Sequence, residues 1–312
     1  MKTRFSKLIG QTDVKKKFDF YLDAQNSSQR FPFLLLTGAK GMGKTEFASE
    51  ASRSILGKDG HARPFIEINC GTIKNAESFF EQVFAPSIQN KEITVFLDEC
   101  HALPKELMTV LLTAFNSEKN NTKQIAWKDG MYEFDFRKQS YMLATTEQDR
   151  LFAPLKDRLF SIDFQAYSLA ETAEIIRRAF LEIDFKENVL DLVAKTVRGN
   201  ARSAIQRAKQ VEMYCQMNHK KTFDNSDWTL LCEKIGIHPC GLSNSEIQVL
   251  TILRERGNCS LSMLSAVTGI SRSALQRDVE LFLLQRGYIK IEGARKITAE
   301  GVKALSAIEE KK

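Results

Sequence analysis

The first half of the chain alternates short apolar runs with amphipathic stretches. Residues 33–36 (FLLL) and 93–97 (ITVFL) are mostly unbroken apolar runs of strand length. Residues 64–69 (PFIEIN) alternate, and residues 141–146 (YMLATT) end in small hydroxyls. Unbroken runs predict strands covered on both faces. Between them, apolar side chains recur at helical spacing: Val14, Phe18 and Leu22; Phe79, Phe80 and Val83 within 73–84; Leu107, Val110, Leu111 and Ala114 within 104–116, where Pro104 suits a first turn. Another helix starts near Glu46 and is expected to reach about Leu56, ended by Gly57 and the polar stretch 58–63. Strand and helix in alternation predict an α/β fold with a parallel sheet. One stretch departs from that rhythm. In residues 124–136, Tyr132, Phe134 and Phe136 alternate after the turn Lys128-Asp129-Gly130, with Ile125 and Trp127 on the other arm, so a β-hairpin is expected. Inserted ahead of a core strand, it serves either as a docking surface, through Ile125, Trp127 and Tyr132, or as cover for a sheet edge.

The second half reads as helices. A capping box, Ser168 with Glu171, opens a helical stretch from 169 to about 234. Ile175, Ile176, Ala179 and Phe180 mark its first helix; Val189, Leu190, Val193 and Val197 mark a second, stopped at Gly199; Asn200 caps a third. Residues 235–241, with Pro239, form a linker. Beyond it, Ser243 and Glu246 make a second capping box for a helix ending at Gly257. A short helix carries Leu261, Leu264 and Val267. Ser271 caps another through Leu275, Val279 and Phe282 to Gly287. Residues 288–292, Gly293 and 295–298 then make a two-stranded wing. This is helix–turn–helix plus wing, with Arg272, Gln276 and Arg277 on the recognition helix and Arg295 and Lys296 on the wing, all able to contact DNA phosphates. The expected domains are 1–165, 166–236 and 237–312.

Composition adds little to this and removes some classes. The 312 residues are 43% hydrophobic and 27% charged, with a formal charge of +6, which suits a nucleic-acid partner without requiring one. The six cysteines form no CxxC pair and read as reduced, mostly buried thiols of a cytoplasmic protein. Cys232, His238 and Cys240 lie close in sequence but lack a second ligand pair for zinc. No apolar run approaches the roughly 18 residues of a membrane span, and no signal-peptide core opens the chain.

The chemistry begins where the run 33–36 meets Gly38-Ala39-Lys40-Gly41-Met42-Gly43-Lys44-Thr45, followed by a helix. In G-x-x-x-x-G-K-T the glycines (Gly38, Gly41, Gly43) let backbone N–H groups turn inward around a polyphosphate, and the helix N-terminus adds its positive end. Lys44 reaches the β and γ phosphates, and the Thr45 hydroxyl can ligate Mg²⁺. The strand 93–97 ends in Asp98-Glu99, about where such a loop needs a carboxylate for the Mg²⁺ shell and a second to polarise the attacking water. Thr146, at the tip of 141–146, can bond the γ-phosphate or that water. Arg158 follows Pro154-Leu155-Lys156-Asp157. An arginine so placed in a nucleoside triphosphatase often reaches into the neighbouring subunit's site, where it is worth roughly 10³ to 10⁵ in rate; otherwise it pairs with Asp157. Arg202, in the first turn of the third lid helix, can reach back over the nucleotide.

In this order the motifs resemble those of AAA+ ATPases, and more closely the RuvB family of Holliday-junction branch-migration motors. The resemblance spans nearly the whole chain. It rests on Ile9-Gly10-Gln11, the glycine loop and Asp98-Glu99-Cys100-His101-Ala102-Leu103, similar to that family's D-E-I-H-R-L. It continues through Ala144-Thr145-Thr146, Pro154 to Arg158, Arg198-Gly199-Asn200-Ala201-Arg202, Gly241-Leu242-Ser243, and Gly287-Tyr288-Ile289 with Arg295 before Thr298. The family resemblance implies a P-loop parallel sheet, a helical lid and a C-terminal winged helix. It implies ATP and Mg²⁺ as cofactors, with Ile9 among the residues near the nucleotide, Thr146 as sensor 1, Arg158 as arginine finger and Arg202 as sensor 2. It also implies a hexameric ring on four-way-junction DNA, with the hairpin docking on a RuvA-like protein. The sequence departs from the family in Gly-Ala-Lys-Gly for G-P-P-G, in lacking the Arg-Pro stretch near the N-terminus, and in Gly-Ala-Arg for the wing's R-G-R. The expected function is an ATP-driven motor for Holliday-junction branch migration. The alternatives are an AAA+ loader of a clamp or helicase, and an ATP-gated DNA-binding regulator.

Overall fold

The computed structural model describes residues 4–28, 30–116, 121–179, 182–238 and 241–309. Phe180, Pro239 and Cys240, named above, lie outside them. There are two compact units. One runs to Tyr167 and takes in Asn200–Arg202; the other comprises Ser168–Gly199 and the chain from Ser203 onward.

The first unit is built from α1 (Thr12–Ser28), β1 (Leu34–Thr37), α2 (Lys44–Ser52), β2 (Phe65–Asn69), α3 (76–88), β3 (Ile93–Asp98), α4 (Lys105–Phe115), the hairpin β4 (Thr122–Trp127) and β5 (Gly130–Asp135), β6 (Gln139–Thr145), α5 (Ala153–Lys156) and β7 (Phe160–Asp163). Five strands pair in parallel in the order β2-β3-β6-β1-β7. β1 and β6 are buried at every position, and β3 at all but its last, which is why they are apolar runs rather than alternations. α2 stops at Ser52, four residues before the expected Leu56. The chain turns there so that Ile55 is fully buried, and Leu56 pairs with Ala62 across a small loop. Arg63, the last residue of the polar stretch 58–63, is buried under that loop. Its guanidinium donates to the carbonyls of Leu56, Lys138 and Arg137 and to Ser140 Oγ.

α3 opens with an Asn75–Ser78 capping box and winds as a π-helix from Phe80 to Ile88, around Pro86, which has no N–H to give. It explains the hairpin. β4 and β5 pair with Ile125 opposite Tyr132. Their apolar side chains share one face, and α3 covers it: Tyr132 stacks on Phe80 at 4.4 Å between centroids, Trp127 on Phe80 at 5.8 Å, and Phe134 packs on Phe84 at 4.4 Å. Ile125 is buried with them. The expectation that Ile125, Trp127 and Tyr132 dock a partner is thereby corrected. These side chains are occupied within the unit, and the outward face is Gln124, Ala126, Met131 and Glu133, with Met131 59% exposed.

The second unit holds α6 (Leu169–Ala179), β8 (Asp184–Phe185), α7 (Val189–Lys195), α8 (Ala201–Met217), β9 (Thr222–Phe223), α9 (Asn225–Ile235), α10 (Asn244–Arg256), α11 (Leu261–Thr268), α12 (272–285), the wing strands β10 (Ile289–Glu292) and β11 (Ala294–Ile297), and α13 (Ala299–Glu309). Helices do not fill 169–234 unbroken: β8 and β9 form a two-residue parallel pair. Both expected capping boxes form, Ser168 with Glu171 and Ser243 with Glu246. The winged helix has its own core, with Leu250, Leu253, Leu264, Leu275, Leu283 and Leu305 almost fully buried. α12 is π-wound from Leu275 to Glu280. The five described cysteines are buried, and no disulfide joins them. Among the described residues no helix is long and apolar enough to cross a membrane.

Arg198, just after α7, binds the winged helix at three points. It ion-pairs with the fully buried Glu246, donates to Asp278 O at 2.6 Å, and lies 4.6 Å from the Phe282 ring centroid. Arg286 answers from α12's end, donating to Lys195 O at 2.6 Å and lying 5.4 Å from the same ring. Burial pushes the Glu246 carboxyl above its ordinary value, and the Ser243 N–H and Arg198 oppose that. Arg198→Ala leaves a buried acceptor short of a partner and is expected to cost about 1–3 kcal/mol. The sign of the pH dependence follows from the raised pKa. A buried carboxyl is tolerated when protonated and costly when charged, so the loss is expected to be largest at neutral pH and to shrink on acidification. Denaturant titration of both proteins across that range measures it.

Candidate nucleotide-binding site and winged-helix surface

The sheet order decides what meets. β6 lies between β1 and β3, so the three carboxyl ends that carry Gly38–Thr45, Thr146 and Asp98-Glu99 are adjacent. Thr37 is level with Thr145, and Leu97 with Leu143. Ligands bind outside such ends in parallel sheets. The loop has the backbone its glycines were expected to supply. Gly41 has φ +81°, and a Cβ there would lie 2.2 Å from Asn200 Oδ1. Gly43 begins α2 at φ 92°.

Lys44 is buried and donates to Gly38 O at 2.7 Å and Ala39 O at 3.1 Å. Burial pushes its ammonium below the ordinary value, Glu99 and Asp98 pull it back up, and Arg202 pushes it down. Asp98 mirrors this: burial raises its carboxyl, the Glu99 N–H bonds it and lowers it, and Lys44 and Arg202 also lower it. Lys44, Asp98, Glu99 and Arg202 are therefore one electrostatic cluster. Thr45 follows Lys44 in the first turn of α2, half-buried.

Glu99 stands at φ 51°, uncommon for a residue with a side chain and frequent at functional positions. Its carboxylate accepts from Thr146 Oγ1 at 2.9 Å and is 3.4 Å from the Thr146 N–H. His101 completes the network: its Nδ1 is 2.9 Å from Thr145 Oγ1 and 3.4 Å from Glu99 Oε2, and its Nε2 is 3.3 Å from Glu147 Oε1. His101 had been quoted only as part of a motif; the rank of acids and hydroxyls at adjacent strand ends is the signal that gives it a role.

Arg202 lies beside the loop, its backbone N–H bonding Gly41 O at 3.3 Å. Asn200, expected only as a cap, donates its side-chain N–H to Lys40 O at 2.7 Å. Tyr167 donates to Met42 O at 3.0 Å. Ile9 is half-buried in the segment that Gln11 ties down, through bonds to Gln165 O at 2.5 Å and from Gln165 N at 3.1 Å. Arg158 is not part of the cluster. It donates to Pro154 O at 2.6 Å, not to Asp157, and lines a separate cavity of about 600 Å³ with Arg30, Phe33 and Asn121.

On the winged helix the expected DNA set divides. Arg295 is corrected: its guanidinium turns inward to Glu280, at 2.7 and 3.2 Å, with side chains 12% and 3% exposed, while its backbone pairs with Cys259. Turned inward and largely buried against Glu280, this guanidinium is not presented at the surface to a phosphate. Arg272 is exposed; Arg277 pairs with Asp278 and Lys296 with Glu292 at the surface.

Residues 34–167 match the ATPase family associated with various cellular activities (AAA), and residues 239–306 match the RuvB C-terminal winged helix domain. A Holliday junction branch migration complex subunit RuvB from Mycoplasmopsis pulmonis is 25% identical over 320 residues, covering 97% of this chain and 96% of that protein. The chain is RuvB-like, an AAA domain followed by a RuvB-type winged helix. A RuvB of Campylobacter hominis is 24% identical over 97% of this RuvB-like chain and 89% of its own length. The same fold is seen in the Thermotoga maritima RuvB Holliday junction branch migration motor, with TM-score 0.74, 23% identity, and coverage of 96% and 95% of the two chains. AAA membership brings nucleotide binding with it, which is what the loop and its neighbours are shaped for.

Two outcomes are expected. Glu99→Gln keeps the Thr146 bond and loses the charge, so it should retain nucleotide while slowing turnover roughly 10²–10⁴-fold, read by nucleotide retention on a filter and by phosphate release. Arg295→Ala should destabilise the winged helix by about 3–5 kcal/mol by stranding Glu280. Arg272→Ala should stay within about 0.5 kcal/mol, and thermal unfolding of the pair separates the structural arginine from the surface one.

Proposed function

We propose that this chain is an ATP-hydrolysing ring motor, hexameric, that drives branch migration of four-way-junction DNA in recombination and repair. The observation that carries the reading is the cluster of Lys44, Asp98, Glu99, Thr146 and Arg202 on three adjacent strand ends and the loop, in a chain that ends in a RuvB-type winged helix. The glycine loop and Lys44 take the ATP phosphates. Thr45 and Asp98 would hold Mg²⁺, and a donor set of one hydroxyl and one carboxylate suits that hard cation. Glu99 polarises the attacking water, and Thr146 holds Glu99 in register for it. Bound Mg²⁺ supplies charge neutralisation on the phosphates.

Arg158 stands apart from its own subunit's cluster, and its buried Nε has no partner among the described residues. In the proposal it serves the neighbouring subunit's site, which makes hydrolysis depend on assembly. Arg272, Arg277 and Lys296 contact backbone phosphates, and a RuvA-like partner meets the outer hairpin face around Met131. Such charges make binding salt-dependent.

ATP-dependent migration of a synthetic four-way junction, with and without RuvA-like proteins, tests the proposal. Strand exchange that needs hydrolysis and stops with Glu99→Gln is the expected result. Clamp or helicase loading without migration would replace it with the loader reading. DNA affinity that changes with ATP while no strand moves would replace it with the regulator.

A further inference from the structure

The second unit contains a cavity of about 250 Å³ that the ATP site does not use. Ser203, Gln206, Arg207 and Gln210 line it from α8, and Arg198 and Ser243 face them from beyond α7 and from the start of α10. The four α8 residues are spaced i, i+3, i+4 and i+7, so they form one stripe of the helix. A stripe that packs against neighbours is ordinarily apolar, and this one is polar. Among the described residues its lining has two guanidiniums, three hydroxyls, two amides and no carboxylate.

The two arginines differ. Arg198 has Glu246. Arg207 donates from Nη1 to the neutral Gln210 Oε1 at 2.8 Å, and its Nε is buried with no partner among the described residues. Burial pushes its pKa below the ordinary value, and no carboxylate offsets that. A guanidinium taken from water without a counter-charge is costly, and its fork of donors matches oxyanions.

We infer that this cavity is an oxyanion site for a phosphate group, with Arg207 as its charged ligand and the Gln206, Gln210 and Ser243 side chains around it. Its volume lies below the about 300–1,000 Å³ of sites for drug-sized ligands, so it takes one phosphate, free or as a single DNA phosphodiester, and not a nucleotide. The inference does not depend on branch migration.

The test is thermal unfolding of the full chain in potassium phosphate against potassium chloride of equal ionic strength. Phosphate should raise the melting temperature saturably in the wild type, and also in Lys44→Ala, where the glycine loop's phosphate contact is removed. Arg207→Met should be no less stable than the wild type without phosphate, since a half-buried charge with no carboxylate beside it is gone, and should show no phosphate response. Arg207→Lys should bind about tenfold more weakly, lacking the fork. Gln206→Glu, at an exposed position, puts a carboxylate into the cavity and should suppress the response even if Arg207→Met does not fold. A phosphate response equal to that of chloride, or one undiminished in Gln206→Glu, overturns the inference. Duplex binding then separates the sources. If the site holds a DNA phosphate, Arg207→Met lowers the salt slope by about 1; if it holds free phosphate, the slope is unchanged.

Discussion

Two parallel pairings, β1 with β6 and β6 with β3, govern the rest of the first unit. They put the glycine loop, the Thr146 hydroxyl and the Asp98-Glu99 pair on three neighbouring strand ends. Each group alone is ordinary. Together they give one buried ammonium, one guanidinium and two carboxylates close enough to act on the protonation of Lys44 and Asp98, with Glu99 in an uncommon backbone conformation, its carboxylate bonded by Thr146 and attended by His101. The sheet is stable because its central strands are apolar on both faces, and that same property leaves only their ends for polar chemistry.

The loop is also held from outside its own strand and helix. Asn200 and Arg202 bond the carbonyls of Lys40 and Gly41, and Tyr167 bonds that of Met42. The Asn200 side chain occupies the space a Cβ on Gly41 would need, so this glycine is required for more than its φ. Because Arg202 lies in the first turn of α8, a charge arriving at the loop is felt at the start of that helix. In the proposed motor this is where phosphate state is passed on.

Much of this was legible beforehand, for identifiable reasons. Apolar runs, capping boxes and the G-x-x-x-x-G-K-T spacing are local signals, so the strands, the loop and the wing were readable. What was missed depends on partners far away in sequence. Periodicity put Ile125, Trp127 and Tyr132 on two arms of a hairpin, but not that Phe80 and Phe84 of α3 would cover them. Arg295 looked like a wing residue free for DNA because its partner, Glu280, is on another element. Arg63 read only as the end of a polar stretch because the carbonyls it satisfies come from 137 and 138. α2 ended early because burying Ile55 outweighed helix propensity. In each case sequence fixed the residue's chemistry and tertiary packing chose its partner.

The central claim is an ATP site completed by a neighbouring copy, and a mixing measurement tests it most directly. Lys44→Ala lacks its own phosphate contact but keeps Arg158, and Arg158→Ala keeps its own loop but lacks the arginine to lend. Each alone should be inactive in ATP hydrolysis. Combined, they should recover turnover, because Lys44→Ala subunits lend Arg158 to the intact loops beside them. Full turnover by Arg158→Ala alone, or no recovery at any mixing ratio in assembled protein, would contradict the account.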